Sequence, residues 1–186
     1  MNNQNLLTKL VEALAAIGFR RYVSLMKKLI FLILFFPIIC FAGELPQADS
    51  VLVKKHDRKM YLIKNDKPFK EYKIALGANP KGHKIQEGDE RTPEGKYVLD
   101  YKKSDSAFYK AIHISYPNVQ DKKKAQELGV NPGGAIMIHG QKNGLSWLGF
   151  ISQSFDWTDG CIAVTNDEMD EIWDSVKIGT PILIEP

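Results

Sequence analysis

Along most of the chain after residue 50, apolar and polar residues alternate, and this alternation predicts strands. VLVKK from Val51, KMYLIK from Lys59 and FKEYKIALG from Phe69 place apolar side chains near every second position, as a sheet with one covered face requires. Between the first two runs and the third, the polar KNDK stretch from Lys64 carries an Asn-Asp pair that tolerates turn geometry. The domain is therefore expected to open as an antiparallel meander. KYVLDY from Lys96, AIHIS from Ala111, AIMIH from Ala135 and PILIE from Pro181 supply further strands.

Other stretches break the alternation. GANPKGHKIQEGDERTPEG, residues 77–95, has no usable period and is long for a plain connection, which predicts a functional loop or flap. DKKKAQELG from Asp121 is a short helical pattern closed by Gly129, read as a surface excursion. Thr165 and Glu168 have capping-box spacing and open an acid-rich turn, so EMDEIWDSV should form a helix before the last strand. The fold class expected is mostly β, with mixed strands and one packed helix, in a single catalytic domain over residues 50–186.

The first 42 residues follow a different pattern. Leu29 to Ala42 is an uncharged apolar run, too short for the ~20 residues that span a bilayer core. Preceded by Met26-Lys27-Lys28 and ending in Cys40-Phe41-Ala42, it has the three parts of a secretory signal. Cleavage after Ala42 is expected, with Met26 as the translation start and residues 43–49 as a linker. An uncleaved anchor is the rival reading, in which the membrane is touched only through this leader. Arg20-Arg21 is weak support for twin-arginine export, and Ile39 before Cys40 argues against lipid attachment.

Removing the leader changes the charge. The full chain carries 25 basic and 22 acidic residues, but five of the basic ones and only one acid lie in residues 1–42. The remainder is nearly neutral and has no basic stripe, which excludes a nucleic-acid partner. It also retains a single cysteine, Cys161, in a compartment where thiols usually pair.

Cys161 follows Gly160 in DWTDGCIAV, and His139 ends the AIMIH strand before Gly140. Nucleophilic catalysis by cysteine needs the thiolate, and an imidazole that accepts the proton is the usual means of making it. Gly160 suits a tight turn that aims amide groups at a developing oxyanion, and Gly140 leaves room for close approach. From residue chemistry alone the pair competes with an inert buried cysteine and a core histidine. No His-x-x-x-His or paired-cysteine spacing is present, so neither a metal nor a cofactor is expected.

IMIHG, the loop after it and TDGCI resemble the His-Gly and Ser/Thr-x-Gly-Cys signature of the YkuD-type L,D-transpeptidases, and the resemblance extends from about Ser50 to Pro186. It implies a β-sandwich or barrel, a Cys161 nucleophile, a His139 base, and Thr158, Asp159 and Gly160 as motif neighbours. It also implies peptidoglycan stem peptides as substrate and, with the leader, an exported, periplasmic location. GHKIQEGDERTPEG, HISYPN and DWTDGCIAVTNDEMDEIW are similar to the branch that includes an enzyme detaching a lipoprotein from peptidoglycan. Lipoprotein release by hydrolysis is therefore the alternative to transpeptidation, with an envelope lipoprotein as a partner. Asp159 stands where many members have His, and Ala163 where they have Asn or Arg, so substrate preference is open. Arg91, Trp157 and His113 are candidate substrate contacts, with Trp147 and His83 behind them; His56 is expected at the surface.

Overall fold

The structure, a computed structural model, describes residues 45–186. The leader and the first two residues of the expected linker lie outside the described residues. Nothing in the described chain is a helix long and apolar enough to cross a membrane.

Among the described residues eight strands form one mixed sheet. They are β1 (Ser50–Lys54), β2 (Lys59–Lys64), β3 (Lys67–Lys73), β4 (Gly95–Ser106), β5 (Tyr109–Ile114), β6 (Met137–His139), β7 (Ile162–Ala163) and β8 (Thr180–Glu185), in the spatial order β3-β2-β1-β8-β4-β5-β6-β7. β1 to β3 are the expected antiparallel meander, with Asn65 and Asp66 at positive φ in the two-residue turn. β8 joins the sheet between β1 and β4, parallel to one and antiparallel to the other. Ala75, just past β3, exchanges two backbone hydrogen bonds with Ala163 of β7, so the two edges of the sheet meet and it curls toward a barrel.

The inward face of this curl is the core. Val51, Val53, Met60, Leu62, Leu99, Ile112, Ile114, Ile138, Ile162, Ile182 and Ile184 are all essentially buried. Each contributes on the order of 1.5–3 kcal/mol by leaving water, and the alternation seen in the sequence records which side of each strand does so.

Among the described residues two ten-residue helices are present, both in stretches that the sequence marks as helical. α1 (Val119–Leu128) is closed by Gly129 in the left-handed conformation, and α3 (Asn166–Ser175) has the Thr165–Glu168 capping box, with Met169 and Ile172 in the core. Between them lies α2, a single turn at Gly149–Ser152. α1 buries only Asp121 and Ala125, so its apolar pattern is too weak to announce packing. It is held by polar groups instead: Asp121 accepts from the Tyr97 hydroxyl and meets His83 Nε2 at 3.2 Å. Gln47 to Asp49, expected in the linker, are also attached, through Gln47 to the Asp174 carbonyl, Ala48 to the Ser175 carbonyl and Asp49 to Asn65 and Lys64.

Candidate active site

Sheet register decides which side chains meet. β6 and β7 are parallel, with Ile138 beside Ile162 and His139 beside Ala163. Because Ile138 and Ile162 point into the core, Met137, His139 and the residue just before β7, Cys161, belong to the opposite face. There His139, Cys161 and Met137 line one cavity of about 270 Å³, together with Ala135, Thr158 and Asp159. Ser106, Phe108 and Trp157 complete its wall.

His139 is buried, with its Nδ1 2.7 Å from the Gly140 carbonyl oxygen. A carbonyl only accepts, so Nδ1 carries the proton in the neutral ring and Nε2 is left as a bare base. Burial lowers the His139 pKa below its ordinary value, partly countered by that carbonyl. Phe108 and Trp157 pack against the ring at 4.7 and 5.9 Å between centroids and keep water from it.

The Cys161 thiol sits 3.6 Å from the Ala135 carbonyl. Burial raises its pKa above the usual thiol range; the Met137 backbone N–H opposes this, Asp159 adds to it and Lys84 subtracts. At rest the pair is thus a neutral imidazole and a protonated thiol, which suits a base that acts only when substrate arrives.

The turn carrying Cys161 is braced from inside. Thr158 Oγ1 donates to the Cys161 carbonyl at 2.7 Å and accepts the Gly160 amide at 3.2 Å. The sequence reading aimed the Gly160 amide at an oxyanion, but that N–H is committed to Thr158. Gly160 has another necessity: at φ +120° its missing Cβ would stand 2.5 Å from the Arg91 carbonyl oxygen. Gly77 backs onto the same place, where a Cβ would lie 2.1 Å from the Glu90 carbonyl oxygen and 2.9 Å from Gly160 Cα. The flap and the cysteine turn therefore touch backbone to backbone. A Cβ at Gly140 would lie 2.7 Å from Asn166 Oδ1, which accepts from the Gln141 amide.

The flap, residues 77–95, has no helix or strand between its ends, Gly77 bridged to Thr158 and Gly95 opening β4, but is anchored by buried charges. Lys55, 1% exposed, donates to the Gly82 and Thr92 carbonyls and to Glu94 Oε1 at 2.7 Å. Asp89 accepts from Lys84 and from the amides of Ile85, Gln86 and Arg91.

The remaining candidates fall outside the cavity wall. His113 pairs with Met137 across β5 and β6 and so shares the outer face, but Asp100 holds its Nδ1 at 2.6 Å and Tyr101 stacks on it at 4.5 Å. Both grips come from a bulge in β4 that sets Asp100 and Tyr101 opposite one residue. Arg91 shapes the site through its backbone, its Nε buried without a partner. His83 is neither exposed nor at the cavity: its Nδ1 accepts the Glu94 amide and Nε2 faces Asp121, tying flap to α1. Trp147 is 76% exposed, and His56 is at the surface beside Asp57. Among the described residues no three His, Cys, Asp or Glu converge as metal ligands.

Several wall residues were not singled out from the sequence. Phe108 stands in the β4–β5 turn, where Asn143 bonds both the Tyr109 amide and the Ser106 carbonyl and so pins that turn to the loop after His139. Asp156 accepts a forked pair from Arg58 and the Leu76 amide, which holds the approach to Trp157 against the end of the meander. A polar loop residue carries no local signal for either role.

Three comparisons bear on this arrangement. The sequence model of the YkuD family, described as an L,D-transpeptidase catalytic domain, matches residues 48–184. The chain is 30% identical over 172 residues to "Putative L,D-transpeptidase YafK" of Escherichia coli K12, covering 80% of this chain and 62% of that protein. The chain therefore spans less than two thirds of that relative's length. Among solved structures it is similar to the helical cell shape determining protein Pgp2 (K307A mutant) of Campylobacter jejuni, at 29% identity and a TM-score of 0.56, over 73% of this chain and 46% of that one. It is also similar to Bd1075 of Bdellovibrio bacteriovorus, at 27% identity and a TM-score of 0.51, over 73% and 46% of the two chains.

Proposed function

Because the chain belongs to the YkuD family of L,D-transpeptidase catalytic domains, we propose that it is an exported cysteine transpeptidase acting on tetrapeptide stems of peptidoglycan in the periplasm. The observation that carries this reading is the shared cavity of His139 and Cys161, with the His139 Nδ1 proton fixed on the Gly140 carbonyl.

In this mechanism His139 Nε2 takes the thiol proton as Sγ attacks the carbonyl of the stem's third residue, a diamino acid. The negative oxygen that develops is met by the Cys161 amide, since the Gly160 amide already serves Thr158. The C–N bond to the terminal D-alanine breaks, His139 returns its proton to the departing amine, and a thioester remains on Cys161. A neighbouring stem's side-chain amine then attacks the thioester, one of its protons passes through His139 to the sulfur, and a cross-link forms with the thiol restored.

Incubation of the protein with tetrapeptide stems is expected to add an acyl mass to the intact chain and to yield cross-linked dimers, with Cys161→Ala losing both. His139→Asn should slow acylation by at least ~100-fold, the usual contribution of a general base. Carbapenems should also acylate Cys161. Release of lipoprotein from loaded sacculi without dimers would replace transpeptidation by hydrolysis, and no thiol-dependent product would remove both.

A further inference from the structure

We propose that Asp159 is a specificity-determining residue that receives an ammonium group of the substrate at the lip of the catalytic cavity. The inference rests on the transpeptidase reading and specifies what that site prefers.

Among the described residues Asp159 is the only carboxylate in the cavity wall, in a lining otherwise apolar or neutral apart from the catalytic pair. It is exposed, and no Lys, Arg or His among the described residues forms an ion pair with it. Other carboxylates around the site are committed: Asp156 to Arg58, Asp89 to Lys84, Asp100 to His113 and Glu94 to Lys55. Lys84, the cation that acts on the thiol electrostatically, is taken up by Asp89 and the Gln86 carbonyl. The Asp159 charge is therefore open to a ligand.

Its position is also set. Thr158 on one side and Gly160 on the other are locked by the Thr158 hydroxyl, so the carboxylate stays near the sulfur two residues on. That charge opposes thiolate formation, and Asp159 accordingly adds to the raised Cys161 pKa. An ammonium group bound there cancels the opposing charge, so the thiol ionises more readily with a cationic substrate in place than with a neutral one. Selection and activation then come from one contact.

A diamino stem residue has two ways to present an ammonium: as the donor's own side chain, or as the acceptor amine. If it is the acceptor, the group arrives with three N–H bonds. One proton is lost to water as the free amine forms, a second passes through His139 to Sγ as the C–S bond breaks, and the third stays on the new amide.

The test compares the wild-type chain with Asp159→Asn and Asp159→Glu in three measurements. These are acylation by a stem with free or acetylated donor amine, partition of the acyl-enzyme between stem amine and water, and iodoacetamide alkylation of Cys161 with and without a lysine-containing dipeptide amide. Loss of a charge-assisted contact predicts a roughly ten- to hundredfold deficit for Asp159→Asn, partly restored by Asp159→Glu. A deficit in acylation that vanishes with the acetylated donor assigns the donor side chain; a fall in the ratio of aminolysis to hydrolysis assigns the acceptor. Equal rates, or an equal loss for charged and neutral substrates alike, would overturn the proposal. If stems acylate no variant, yet the dipeptide speeds alkylation in wild type and not in Asp159→Asn, the ammonium site stands and the transpeptidase reading falls.

Discussion

Alanine at Gly77 places a Cβ 2.1 Å from the Glu90 carbonyl oxygen, a backbone atom that cannot swing aside as a side chain does. Gly77 has no positive φ, so the whole penalty is steric: the two ends of the flap, Gly77 and Glu90, must part, and Gly77 must also move off Gly160 Cα at 2.9 Å. Overpacking costs about 1–3 kcal/mol, and a contact this far below 3 Å with backbone belongs at the upper end, about 3 kcal/mol. Gly88 offers the opposite case, with φ +77° and nothing within 4 Å of the added methyl, so only backbone strain of about 1–2 kcal/mol applies. Gly160 has both, at φ +120° and 2.5 Å from the Arg91 carbonyl oxygen. Each alanine also recovers about 0.4–1 kcal/mol by stiffening the unfolded chain. The expected destabilisations are then about 3–4 kcal/mol for Gly160→Ala, about 2 for Gly77→Ala and about 1 for Gly88→Ala. For a domain of this size 1 kcal/mol moves Tm by about 3–5 °C, so calorimetry resolves the ranking. Since both added methyls press on the adjoining Glu90 and Arg91 backbone, one shift of that segment relieves both, and the double variant should lose less than the sum. A Gly77→Ala shift under about 2 °C, or Gly88→Ala as damaging as Gly160→Ala, would refute the backbone contact as the reason for these glycines.

The two catalytic groups shape stability against pH. His139 is held below its ordinary pKa by burial, so the unfolded chain binds that proton first and stability falls as pH drops below about 6.5. Cys161 is held above its ordinary pKa, so stability falls as pH rises past about 8.5, where the unfolded thiol ionises and the folded one does not. Urea titrations across pH should show the alkaline decline reduced in Cys161→Ala; an unchanged slope refutes the assignment. Lys55→Met leaves the Thr92 carbonyl unpaired in the interior and the Gly82 carbonyl and Glu94 without their cation at a part-buried edge, expected to cost about 3 kcal/mol and to expose the flap to proteolysis within residues 77–91; wild-type protease resistance would count against the anchor. Asp156→Asn weakens the Arg58 fork by about 1.5–3 kcal/mol, and slower alkylation or acylation of Cys161 should accompany it because Trp157 follows directly. Unaltered reactivity with lowered Tm would confine Asp156 to stability.

What the sequence determined by itself was local. Alternation in VLVKK, KMYLIK and AIMIH marks which side chains leave water, because a strand's two faces follow from its pleat whatever its neighbours are. The Thr165–Glu168 cap and the Gly129 stop are equally local, each closing hydrogen bonds within one turn. His139 and Cys161 were legible through a motif, and their spacing says nothing of distance. Only the tertiary structure decided that β7 lies parallel to β6, which brings Cys161 and His139 to one cavity across 22 positions of chain. It also decided that the Gly160 amide is spent on Thr158, that His83 serves α1, and that a second helix docks through Asp121 where its apolar pattern is weak. Apart from the Thr158–Gly160 turn, each of these turns on a pairing between distant segments. Such pairings are chosen by the free energy of the whole core, and a residue's own neighbours in sequence hold no record of them.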